Sequence, residues 1–413
     1  MGDPFKVVLV GPLAVLAADF HRCLSEMGYS PDSASNQLQL VAHLSRWMEE
    51  HGLAVRGLSD QVIGAFFAER RLRYRNFRTP RSLAAFTGFL AAAGIERTAD
   101  PPPVRSAEDE LLSRFEQYLV VERALRPTTV VNYLNQVRPF LRWRVGRSGT
   151  GWGSLSSVEA TDFLLFRGAS ESAGSIRVAA TALRAFLRWL LLDGVIGPSA
   201  AEGIGPVAYS PYAGLPKFLT ASQVDGILAG PAAREVAPLR NQALLLVLTR
   251  MGLRSREVQD LTLDDIDWRA GAVKVTGKAG RCELMPLPVD VGAAIVDYLA
   301  KARPVSSDRH VFLQVPAPHR ALAGTSISQM VTLRGARAGI GSRVGAHRLR
   351  HSLATAVLGS GGTLGEAAQL LRHSSPSTTV IYAKVNLDGL RCLTRPWPLT
   401  VVEDHQRASQ DRP

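Results

Sequence analysis

Cysteine is scarce: there are three in 413 residues, at positions 23, 282 and 392. They are odd in number and far apart. That excludes a disulfide framework and a zinc-ligand spacing, and it fits a reducing, cytoplasmic setting. No apolar run is long enough to cross a bilayer as a helix, so no membrane partner is expected. The stretch Val7 to Ala18 is apolar, but Pro12 interrupts it and only Lys6, offset by Asp3, precedes it. It therefore reads as a helix or strand of the first domain rather than a targeting segment. No Gly-x4-Gly-Lys-[Ser/Thr] loop offers a cradle for nucleotide phosphates, and no carboxylate cluster suggests a metal. Neither a cofactor nor a metal is expected. Acid is also in deficit. Asp and Glu total 36 against 48 Lys and Arg, a net charge of +12. A surplus of that size favours a polyanionic partner, although a solvated basic surface accounts for it equally well.

The apolar and charged fractions, 46% and 20%, are ordinary for a folded chain, and the length allows two or three domains. Residues 1–100 read as helical. Asn36 to Trp47 places Leu38, Leu40, Val41 and Leu44 at helical spacing. Arg70 to Arg78 then interleaves arginine with Tyr74 and Phe77, with Arg81 just beyond. This is the composition of a phosphate-binding or stacking surface, or of a solvated helix end. Pro101-Pro102-Pro103 marks a linker. Residues 106–197 repeat the theme. A shift of 96 aligns Pro31 with Pro127, Leu38 with Leu134, Val41 with Val137 and Trp47 with Trp143, as a duplicated helical unit or as chance agreement of two amphipathic helices. Phe186 and Trp189, on a helix over 176–192, read as core. Residues 198–216, rich in Gly, Pro, Ala and Ser, form the clearest boundary.

Beyond it, Thr220 and Gln223 read as a capping box, and an apolar helix runs from Asn241 to Arg250. A short helix follows around Glu257 to Leu261. Ala272–Thr276 and Glu283–Leu287 read as two strands turned by Gly277-Lys278-Ala279-Gly280. His347 and Arg350, three apart, share a helix face. Gly361-Gly362 stops that helix. Thr363 with Glu366 caps the next, near 364–372, which leads to His373. Ser375-Pro376 opens a third short helix carrying Tyr382. The tail 398–413 is polar and loose.

These side chains suit displacement at a phosphodiester, which needs a nucleophile, cations for the non-bridging oxygens and a proton for the leaving oxygen. Tyr382 is the nucleophile candidate. Arg254 and Arg350 can fork onto phosphate oxygens. His347 can take or supply a proton near neutral pH. Lys278, on a turn, suits protonation of a leaving 5′-oxygen, and His373 can donate to the phosphate. Singly, each has a plainer role: a structural histidine, a packed tyrosine, an arginine capping a helix C-terminus, an exposed lysine.

In order, Gly-Leu-Arg-x-x-Glu (252–257), Gly-Lys in a hairpin (277–278), His-x-Leu-Arg-His (347–351), Leu-x-His (371–373) and Tyr382 nine residues later resemble the tyrosine recombinases, or phage-type integrases. The resemblance covers roughly 215–395. It implies a mainly α fold with a small β-sheet in the catalytic domain, and α-helical N-terminal DNA-binding domains ahead of a mixed α/β tyrosine-recombinase catalytic domain. It divides the chain into 1–100, a helical unit outside the minimal family pattern and an additional DNA-binding candidate; 106–197, a SAM-like core-binding domain; 215–397, the catalytic domain; and the tail. The implied catalytic set is Arg254, Lys278, His347, Arg350, His373 and Tyr382. The implied activity is site-specific cutting and rejoining of double-stranded DNA through a 3′-phosphotyrosine, without metal or ATP, for a mobile element. The implied assembly is a dimer per site and a tetramer in the synapse, with sister recombinases as further partners. Leu387, Leu390, Leu393 and Trp397 would dock on a neighbouring protomer or pack on their own domain. Type IB topoisomerase-like relaxation and a non-cleaving DNA-binding accessory are the alternatives. One departure stands out. The family commonly has Leu-Gly-His where this chain has Leu371-Arg372-His373, and Arg372 is expected to point outward or to touch DNA.

Overall fold

The computed structural model describes residues 7–100, 106–148, 152–198, 204–208, 218–229, 237–277 and 280–372. Lys278, His373, Tyr382, the helix expected from Ser375-Pro376, the apolar positions Leu387 to Trp397 and the tail 398–413 lie outside the described residues. The chain falls into two compact units, Met1–Thr98 with Leu215–Pro413, and Ala99–Gly214.

Residues 7–98 carry four helices: α1 (Ala17–Glu26), α2 (Pro31–Glu50), α3 (Asp60–Arg73) and α4 (Ala84–Ala92). Ser30 caps α2 by accepting from the Ser33 N–H, and Pro31 takes the first turn, where its missing donor is not needed. Leu38, Val41, Leu44 and Met48 of α2 close a core with Phe20, Phe67 and Phe86. The apolar stretch from Val7 is not one element. It holds a 3-10 turn, Ala14–Leu16, before α1 begins at Ala17.

The second unit has α5 (Ala107–Gln117), α6 (Pro127–Ser148), α7 (Ser157–Gly168) and α8 (Ala173–Leu192). Helices α2 and α6 both open on the prolines aligned by the 96-residue shift, and both Val41 and Val137 are buried in their own cores. Helix α8 starts earlier than 176 because Ser172 caps it, accepting from the Ser175 N–H. Phe186 and Trp189 are core, their ring centroids 5.1 and 5.3 Å from that of Phe115.

From residue 218 the elements are α9 (Ala221–Leu228), α10 (Pro238–Arg250), α11 (Ser255–Asp260), β1 (Ile266–Asp267), β2 (Ala272–Thr276), β3 (Cys282–Pro286), α12 (Val289–Lys301), α13 (Gly324–Arg337), α14 (Ala346–Gly359) and α15 (Leu364–Leu370). The Thr220–Gln223 and Thr363–Glu366 capping boxes both form. Helix α10 buries Ala243, Leu244, Leu245, Val247 and Leu248, and packs against both α12 and α14. A helix apolar on nearly every side must be surrounded, and this one is the centre of its core. The sheet is antiparallel in the order β1-β2-β3, with Thr276 opposite Cys282 and Val273 opposite Met285. That register starts β3 one residue before the expected Glu283. β1, two residues long, is too short to show an alternating pattern. The fold is mainly helical with one small sheet. Among the described residues no helix is long and apolar enough to cross a membrane.

Candidate active site

The centre of the site is a buried carboxylate. Arg254 is the N-cap of α11, and its backbone N–H donates to Glu257 Oε2 at 2.8 Å. The Arg254 guanidinium donates to Glu257 Oε1 at 2.7 Å while its side chain stays 43% exposed. Arg254 thus opens a helix rather than capping the end of one. Two linkages from a single residue leave its guanidinium little freedom, and its exposed side remains available to an anion. The Glu257 side chain is only 5% exposed.

The third donor to Glu257 was not anticipated. Arg372 turns inward, its side chain 6% exposed, and donates to Glu257 Oε2 at 2.6 Å. The expectation that it points outward or touches DNA is therefore corrected. Its backbone is left-handed, with φ of 51°, a conformation glycine adopts without penalty and arginine does not. Leu371, just before it, is fully buried, so the chain must turn sharply here. A carboxylate waiting beneath the turn attracts the guanidinium inward. Among the described residues the Arg372 Nε has no hydrogen-bond partner.

Helix α14 presents His347 and Arg350 one turn apart. Arg350 is 1% exposed. Its two terminal nitrogens donate to the carbonyls of Gly252 and Leu371. One guanidinium therefore ties the segment before Arg254 to the segment before His373. Gly252 makes the approach possible. Its φ is 60°, and a Cβ there would lie 2.9 Å from Leu353 Cδ2 and 3.0 Å from Leu371 Cδ2. A guanidinium has five donors, so two carbonyls do not exhaust it.

His347 is solvent-exposed at its surface, and its ring centroid lies 4.3 Å from that of His351. Crowding around the imidazole, then the charges of Arg350 and Arg254, hold its pKa below the ordinary 6.5. Arg254 sits on a different element, so its influence places the two arginines and His347 in one electrostatic neighbourhood. The ring is neutral at pH 7 and ready to accept a proton. The sign follows: the folded state resists protonation, so stability is full above 6.5 and declines as pH falls below it. Single-turnover cleavage should lose rate only below pH 6.5, with that acid limb absent in His347→Gln. A limb centred above 6.5, or one unchanged by the substitution, refutes the assignment.

Burial pushes the Glu257 carboxyl up. The Arg254 N–H, the Arg372 charge and the Arg254 guanidinium outweigh it and hold the group below the usual carboxylate range. Glu257 is thus an anion serving two arginines. The hairpin reaches the same carboxylate: a Cβ on Gly277 would lie 4.0 Å from Glu257 Oε1. The Gly277 N–H donates to Arg281 O at 2.7 Å and closes the turn that carries Lys278.

The structure therefore brings Arg254, His347 and Arg350 together, along with the residue preceding Lys278 and the residue preceding His373. Glu257 and Arg372 were missed as site residues. The three-residue spacing of Arg254 and Glu257 was a usable signal, because it is capping-box spacing. For Arg372 there was none, since its partner lies 115 residues earlier in the chain.

The "Phage integrase family" model matches residues 217–388, and the "Phage integrase, N-terminal SAM-like domain" model matches residues 112–194. The chain is 36% identical over 392 residues to a Sinorhizobium fredii protein provisionally named integrase/recombinase y4rA, covering 94% of this chain and 95% of that one. The chain belongs to the phage integrase family of tyrosine recombinases. It is also 33% identical over 309 residues to the tyrosine recombinase XerD of Xanthomonas campestris, covering 72% of this chain and 94% of XerD. Among solved structures, the XerH site-specific recombinase in its post-cleavage complex with difH is similar with a TM-score of 0.55 and 18% identity, over 80% of this chain and 93% of that one. A lambda integrase tetramer bound to a Holliday junction is similar with a TM-score of 0.54 and 16% identity, over 80% and 90%. Those two likenesses are of fold. As a tyrosine recombinase the chain is an enzyme of DNA strand breakage and rejoining.

Proposed function

We propose that Arg254, Lys278, His347, Arg350, His373 and Tyr382 form the catalytic set of a site-specific recombinase that passes through a 3′-phosphotyrosine and serves a mobile element. The arrangement that carries this reading is Arg254 held by the Glu257 carboxylate, with Arg350 bound to the Gly252 carbonyl two residues before it and His347 one turn from Arg350 on the same helix. Tyr382 attacks phosphorus, and the arginines carry the added negative charge. His347, neutral at pH 7, takes the phenolic proton, and Lys278 returns one to the leaving 5′-oxygen. His373 donates to the phosphate. Two chains act at each site and four in the synapse, as in the DNA-bound lambda integrase dimer and tetramer, and the enzyme works in the cytoplasm. Residues 106–197 and 215–397 serve as the core-binding and catalytic domains, with 1–100 an added helical domain.

A nicked suicide duplex drawn from the DNA flanking the gene tests this. Trapped covalent protein–DNA adduct on a denaturing gel is the expected result. Relaxation of plasmids without any specific site indicates a topoisomerase, and DNA retention without adduct indicates a non-cleaving accessory. Arg350→Ala should lower cleavage by about 10²–10³-fold while duplex affinity stays within a few-fold, as removal of one transition-state donor does. It also leaves the Gly252 and Leu371 carbonyls without their donor, at a cost of about 1–3 kcal/mol in unfolding free energy. If affinity falls in parallel with cleavage, Arg350 acts by tying the two segments rather than by meeting phosphate.

A further inference from the structure

A second basic site lies far along the chain from the catalytic motifs, between helices α2 and α3. A cavity of about 270 Å³ is lined by His43, Arg46, Trp47, Arg70, Arg73 and Tyr74, with Glu50 and Glu69 also on its wall. Arg70 is the unusual member. It is 8% exposed, yet among the described residues no carboxylate pairs with it. Its Nε donates to Phe77 O at 2.9 Å, its guanidinium lies 4.2 Å from the Tyr74 ring centroid, and one terminal nitrogen donates to His43 Nδ1 at 2.8 Å. A guanidinium can only donate, so His43 Nδ1 accepts and the ring proton sits on Nε2 as a further donor. A buried charge with only neutral partners is costly and gains by meeting an anion. Arg46 and Arg73 are exposed beside it. Of the two acids, Glu69 faces His51 at 3.9 Å rather than Arg70.

We propose that this cleft binds a backbone phosphate of duplex DNA, with Arg70 as the fixed donor, Arg46 and Arg73 as the mobile cations and Tyr74 as the wall that holds the Arg70 guanidinium flat. The proposal rests on the recombinase reading for its ligand and adds a DNA contact within residues 7–98. Such a contact strengthens binding without reading sequence, and it appears as salt dependence.

The test uses the full chain and a random-sequence duplex, with affinity measured against salt. The exposed pair Arg46→Gln/Arg73→Gln avoids unfolding the domain. It should weaken binding roughly tenfold and reduce the slope of log K on log salt by about 0.9 or more, one phosphate contact or better. Arg22→Gln/Arg56→Gln, exposed arginines of the same domain outside the cavity, should leave the slope near wild type. An unchanged slope in the first pair, or an equal drop in both pairs, overturns the cleft as a built site. Inorganic phosphate that shifts the His43 resonances while the DNA slope is unaffected assigns the cleft to a free anion and overturns the duplex assignment. The suicide-duplex adduct is read in parallel. Wild type without adduct sinks the recombinase reading. Adduct retained in the first pair at saturating protein, with an unchanged slope, sinks only the cleft.

Discussion

Tyr382→Phe should abolish the covalent adduct with a nicked duplex and slow strand cleavage by at least about 10⁴-fold, leaving duplex affinity near wild type. The substitution removes one oxygen, and in the proposed scheme that oxygen becomes bonded to phosphorus. Losing a nucleophile outright leaves only what positioning and electrostatics achieve without it. The aromatic ring itself is unchanged. An ordinary phenol has a pKa of about 10, so at pH 7 its proton must leave as the bond forms. In the proposed scheme the neutral His347 would be the acceptor and the guanidinium of Arg254 would supply the compensating charge. An adduct of undiminished yield in Tyr382→Phe would show that another side chain attacks, and the assignment would be withdrawn.

Glu257→Ala should be the most damaging substitution that replaces no expected catalytic residue. It leaves the Arg372 guanidinium, 6% exposed, without its anion, and frees Arg254 from one side. Removing one member of a buried ion pair costs about 3–5 kcal/mol, most of it the uncompensated charge that remains. Cleavage should fall by about 10²-fold or more at temperatures where the variant is folded, because Arg254 loses its aim. Arg372→Gly in the same chain should recover much of the stability. It removes the stranded charge and relieves the left-handed backbone, a strain of about 1–2 kcal/mol for a residue with a Cβ. Urea denaturation of the two single variants and the double variant gives the coupling. Additive losses would mean that the two residues do not support each other. The pH dependence has a definite sign. Glu257 is held below its ordinary 4.5, so its contribution is present above 4.5 and lost as pH falls through the folded value. Glu257→Ala should lack that acid-sensitive component.

Much of this was legible along the chain. The capping boxes at Thr220 and Thr363 are local hydrogen-bond patterns, written in residues three apart, and both form. The hairpin was readable because strand alternation and turn glycines are local as well. The order of five motifs, from Gly-Leu-Arg-x-x-Glu at 252–257 through Gly277-Lys278, His347 to His351 and Leu371 to His373 to Tyr382, was enough to name the family, since order survives folding.

The inward Arg372 was not legible, and neither was the burial of Arg350. Local chemistry makes an arginine at a helix end an outward residue, and it does not say how deeply a phosphate-binding arginine is buried. Both outcomes were set by partners supplied from far away: Glu257 for the first, and the carbonyls of Gly252 and Leu371 for the second. The sequence alone determined the capped helices, the β2–β3 hairpin and which chemistry their side chains can perform, because those depend on neighbours a few residues off. Only the tertiary structure decided which charges face solvent and which are sealed against one another, because the energy of a buried charge depends on what the rest of the fold places beside it.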